Sequence, residues 1–136
     1  MTALCRHRTL VVQVLLLASC GHGETSDDAQ APDCLVEATT SYAPQANVVT
    51  GKGIISCDIA ANLSLYVCIY SKGTAETDWG PPLQCKTTGG SGQTTLSSEI
   101  PIAIVGPTPN DYRTVVNTQL NLADQPAETS PTVTAP

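Results

Sequence analysis

Residues 63–70 read LSLYVCIY, and their alternation decides the fold class. Leu63, Leu65, Val67 and Ile69 fall on one parity, and Ser64, Tyr66, Cys68 and Tyr70 on the other. Successive side chains of a strand point to opposite faces. The octet therefore predicts a β-strand whose aliphatic face meets a core and whose other face carries two tyrosines and a cysteine. A helix would repeat its apolar residues every three or four positions, and no stretch of the chain sustains that spacing.

Period two extends outward from this strand. In CLVEATTSY (34–42) Cys34, Val36, Ala38 and Tyr42 share a face, and in GIISCDI (53–59) Ile55, Cys57 and Ile59 do. DYRTVVNTQLNL (111–122) sets Tyr112, Thr114, Val116, Thr118, Leu120 and Leu122 against Arg113, Val115, Asn117, Gln119 and Asn121. PLQCKT (82–87) and QTTLSSEIPIAIV (93–105) read as further strands joined through GGSG, with Pro101 placing the second at an edge. Val, Ile and Thr dominate, and Phe is absent. Six or seven short strands in this length predict an all-β fold, an antiparallel sandwich.

Two flanks differ from this middle. MTALCRHRTLVVQVLLLAS (1–19) carries Arg6 and Arg8 ahead of an apolar run too short to span a membrane, which is the layout of an export signal. Its end, Leu17-Ala18-Ser19-Cys20, resembles the lipobox of bacterial lipoproteins. The resemblance implies cleavage before Cys20, a lipid on its thiol, and a mature protein at a cell membrane or outer membrane, on the extracytoplasmic face. Two or more acyl chains anchor a protein stably where one is marginal. GHGETSDDAQAPD (21–33) is polar and aperiodic, so residues 20–33 read as a flexible tether. Residues 34–123 form the predicted domain. DQPAETSPTVTAP (124–136) reads as a loose tail in which 132–135 could add a short last strand.

Of six cysteines, Cys5 falls in the signal and Cys20 in the lipobox, leaving Cys34, Cys57, Cys68 and Cys85. Export places them where disulfides persist, and no zinc-type spacing is present, so two bridges and no metal are expected. Strand parity favours Cys34 with Cys57 and Cys68 with Cys85, because the first two lie on core-side parities and Cys68 lies opposite the aliphatic face.

The stretch NDYRT (110–114) resembles the tyrosine corner of immunoglobulin-like sandwiches. The resemblance implies that Tyr112 is buried and that its hydroxyl bonds back to the chain. The antibody pattern is incomplete, since Thr114 stands where the second cysteine would and no Trp follows Cys57 at the expected distance. VCIYSK (67–72), DWGPPLQC (78–85) and DYRT also resemble small exported actinobacterial proteins of unknown role, and that likeness implies no activity.

Charge and inventory narrow the function. Loss of Arg6 and Arg8 with the signal takes six basic residues to four against twelve acids, a balance of −8. Such a surface argues against nucleic acid and against electrostatic binding to anionic lipid. His22, in the tether, is the only histidine beyond the signal, so no catalytic residues of the Ser-His or Cys-His kind are expected in the domain. Asp58, Glu76, Asp78, Glu99 and Asp111 could pair as in glycosidases, but their spacing does not ask for it. GKGIIS (51–56) lacks the spacer of a phosphate loop and reads as a β-turn. TAETDWG (74–80) lacks the dense ligand spacing of a calcium loop.

No cofactor is expected. The reading is a lipid-anchored binding module for a protein or glycan ligand. A structural envelope protein without a discrete ligand is the second reading, and a carboxylate-dependent hydrolase the last. If the aliphatic parity of 63–70 faces inward, Tyr66 and Tyr70 point outward with Trp79 nearby, and these three form the candidate binding surface.

Overall fold

One strand of 26 residues, β2 (Val48–Gly73), organises the computed structural model, which describes residues 30–136. The other elements are β1 (Cys34–Ala43), β3 (Gln84–Ala103), β4 (Asn110–Leu120), β5 (Ala123–Asp124), β6 (Glu128–Thr129) and β7 (Val133–Ala135). Among the described residues there is no helix, and the strands form one antiparallel sheet. The signal, Cys20 and most of the tether lie outside the described residues.

The sheet folds over itself because β2 changes neighbours along its length. Its first part, through Cys57, pairs with β1 on one side and the end of β3 on the other; from Leu63 onward it pairs with the start of β3 and with β4. Register shifts between Ser56 and Leu63 mark the crossing, where bulged backbone bends a strand. The result is two layers, β1–β2–β3 and β3–β2–β4 with the tail. β2 and β3 each serve both layers. GIISCDI and LSLYVCIY are thus parts of one strand, and GGSG is not a loop but the middle of β3, with Gly92 at φ 63°.

The core lies between the layers. Val49 and Ile55 from the first face Leu65, Val67, Ile69 and Val116 from the second, all fully buried. Two outward departures correct the sequence reading. Ile59 is 41% exposed because it sits in the bend. Leu122 is 87% exposed because the alternation stops at Leu120. Asn121 and Leu122, at φ 49° and 71°, form a two-residue turn whose twist suits a tight hairpin to β5.

Gly51 and Gly53 are not in a turn. They lie in mid-strand at inward positions where the layers approach closely. A Cβ on Gly51 would meet the Ile69 side chain and come within 2.6 Å of Thr114 Oγ1, and one on Gly53 would lie 2.8 Å from Val67 Cγ2. A glycine inside a strand often marks such an approach.

Both disulfides are cross-strand: Cys34 bonds Cys57 and Cys68 bonds Cys85, and each pair occupies directly opposite positions in the register. Closing loops of 23 and 17 residues contributes about 3 kcal/mol each through the unfolded chain.

The tail is sheet rather than loose chain. Val133–Ala135 pairs with Asn110–Tyr112, and Glu128–Thr129 pairs with Val115–Val116. Between them Ser130 is buried, and its Oγ accepts the Thr114 N–H at 2.9 Å and lies 2.7 Å from Thr40 Oγ1, itself 2.7 Å from Thr114 Oγ1. This hydroxyl cluster ties β1, β4 and the tail together. Ser130→Ala orphans a buried N–H and should cost about 1–3 kcal/mol in a denaturant titration, whereas a threonine at 130 would keep the oxygen.

Tyr112 is 5% exposed on the inner face. Its hydroxyl makes no hydrogen bond among the described residues, so the back-bond implied by the tyrosine-corner resemblance is absent and the side chain acts by packing.

Candidate functional site

The sequence nominated Tyr66, Tyr70 and Trp79, and the structure divides them. All three belong to the outer side of the second layer, where β2 is central and both of its edges are paired. Cys68 lies between the two tyrosines on the same outward parity, yet it is 1% exposed beneath its bridge to Cys85.

At one end Tyr70 stands opposite Arg113 of β4. The guanidinium carbon of Arg113 sits 4.3 Å from the Trp79 ring centroid and 5.7 Å from that of Tyr70. Lys72 Nζ lies 5.5 Å from the Trp79 centroid and 3.7 Å from Asp111 Oδ2, and it donates to the Glu76 carbonyl. Each cation–ring contact contributes about 0.5–2 kcal/mol depending on desolvation. Tyr70 and Trp79 are both only partly exposed, and their rings are engaged by this chain's own cations. They brace the 74–83 loop against the sheet. The sequence reading does not include Arg113 in the candidate surface. The alternation of β4 already placed it outward, but only the register with β2 sets it beside Tyr70.

Tyr66 lies at the other end and is 45% exposed. Across the strands it stands between Thr87 and Asn117, and the next row carries Gly89, Ser64, Gln119 and Asp124. Ser64, Tyr66, Thr87, Asn117, Gln119 and Asp124 line a shallow depression of about 340 Å³, and Gly89 stands beside it, opposite Ser64. Gln119 Nε2 donates to Asp124 Oδ1 at 2.8 Å, which holds both groups at its rim. Gly89 adds no side chain, and a Cβ there would meet nothing nearer than the Leu63 carbonyl at 3.7 Å.

Four of the five carboxylates weighed for hydrolysis have separate neighbours. Glu99 pairs with Lys52 at 3.0 Å on the outside of the first layer, Asp111 with Lys72, and Asp58 accepts the Asp33 N–H at 2.8 Å. Glu76 accepts the Gly73 N–H at 2.9 Å within its own turn. Among the described residues no group of three or more His, Cys, Asp or Glu is placed to hold a metal ion.

No protein-family model matches the chain, and no curated protein matches it. Two solved structures are similar in part. R. palustris CsgH is 16% identical, with a TM-score of 0.40, over 73% of this chain and 88% of that one. A late embryogenesis abundant (LEA) protein is 12% identical, with a TM-score of 0.39, over 96% of this chain and 87% of that one.

Proposed function

We propose that this chain is an exported binding module, held to the extracytoplasmic side of a membrane by lipid on Cys20, with its ligand surface on the outer side of the second layer around Tyr66. The observation that carries the reading is Tyr66 itself, a 45% exposed aromatic on a strand paired along both edges and two residues from a disulfide. Aromatics held rigidly at a surface make effective contact residues, because they present large area at small entropic cost. The lipobox and the two disulfides support the compartment, since bridges persist outside the reducing cytosol.

Two measurements test it. Wild-type protein should sediment with membranes and Cys20→Ser should not; an unmodified N-terminus in the intact mass of soluble wild-type protein would refute the anchor. For the surface, Tyr66→Ser should abolish capture of the ligand from host envelope extract with an unchanged melting temperature. Tyr70→Ser should instead lower the melting temperature, because Tyr70 packs on Arg113. A Tyr66→Ser protein that captures everything the wild type does would sink the placement.

A further inference from the structure

We propose that the depression beside Tyr66 binds an uncharged saccharide, a proposal that rests on the binding-module reading and names its ligand class. The chemistry of the surface points there. Tyr66 offers a ring face, and around it stand two hydroxyls, Ser64 and Thr87, two amides, Asn117 and Gln119, and one carboxylate, Asp124. A sugar ring presents a patch of C–H bonds on one side and equatorial hydroxyls around its edge. The first stacks on an aromatic, and the second needs neutral donors and acceptors in alternation, which amides supply in pairs.

Among the described residues no cation lines the depression, and Asp124 disfavours an anionic ligand, so sulfated or phosphorylated glycans fit poorly. The volume of about 340 Å³ lies at the small end of the range of ligand sites and matches one or two rings rather than a long chain. A protein partner fits less well. Specific interfaces bury about 800 Å² on each side around an apolar centre, and Tyr66 is the only large hydrophobic side chain lining this depression. The rows are also preorganised: Ser64, Tyr66, Asn117 and Gln119 lie on β2 and β4, whose pairing runs without interruption from Leu63–Leu120 to Gly73–Asn110.

The test is a titration of the isotope-labelled full chain, carrying Cys20→Ser, with neutral oligosaccharides of glucose, mannose and N-acetylglucosamine, and with heparin as the anionic comparison. At millimolar concentration at least one neutral sugar should move the amide resonances of Tyr66, Thr87, Asn117 and Gln119 and leave those around Trp79 in place. Tyr66→Ala should weaken that binding about tenfold without changing the melting temperature. Gly89→Val, which has room at its Cβ, should keep the fold and obstruct the sugar.

Shifts with heparin alone would overturn the proposal, as would shifts scattered over the domain. If no neutral sugar shifts the patch while Tyr66-dependent capture of an envelope protein persists, the saccharide assignment falls and the binding face stands. If neither occurs, both fall.

Discussion

Gly51→Val should destabilise the domain by about 3 kcal/mol or more, enough to leave a marginal fold largely unfolded at physiological temperature. The branched side chain would have to occupy space held by Ile69 and Thr114 of the facing layer. Neither can retreat easily. Ile69 is fully buried on a strand paired on both sides, and the Thr114 hydroxyl belongs to the Thr40–Ser130 cluster. Overpacking in a close-packed interior is absorbed by off-rotamer side chains and backbone shifts, and here both would spread across the two layers.

The proof lies in a compensating pair. Ile69→Val alone should cost about 0.5–1.5 kcal/mol as a cavity. In a Gly51→Ala background it should cost less, because it removes Cδ1, one of the two Ile69 atoms that the new methyl would strike, at 2.7 Å. Gly80→Ala is the control, since a Cβ there meets nothing within 4 Å, and it should change stability by less than about 0.5 kcal/mol. Additive costs for Gly51→Ala and Ile69→Val would show that the layers do not meet there.

These glycines also show where the sequence was legible and where it was not. Period two in 63–70 and 111–120 identifies the inner faces correctly, because parity is a local property of the chain, and the cystine pairing follows from the same parity. GKGIIS reads as a turn because glycine usually punctuates, and nothing local says that another layer presses on those two positions. The bend that exposes Ile59 and the continuous run of β3 through Gly89–Gly92 depend likewise on pairing between distant segments. The candidate surface shares this limit. Parity turns Tyr66 and Tyr70 the same way, but only the register brings Arg113 to Tyr70 and Trp79 and, among the described residues, sets no cation over Tyr66.

Tyr112→Ala should cost about 3–5 kcal/mol, the usual range for deleting a buried aromatic, and lower the melting temperature on the order of 20 °C. Tyr112 stands at the start of β4, opposite Ser71 of β2 and Val133 of β7, so its ring packs where the tail joins the sheet. Its loss should therefore uncouple Val133–Ala135 before the rest unfolds, visible as faster amide exchange in those residues than at Val116. Tyr112→Phe separates packing from hydrogen bonding. Because the hydroxyl has no partner among the described residues, the substitution should change stability by less than about 0.5 kcal/mol, where loss of a tyrosine-corner bond would cost about 1 kcal/mol. A Phe variant destabilised by that full amount would restore the corner bond, and an Ala variant melting with the wild type would show that the ring does not hold the tail.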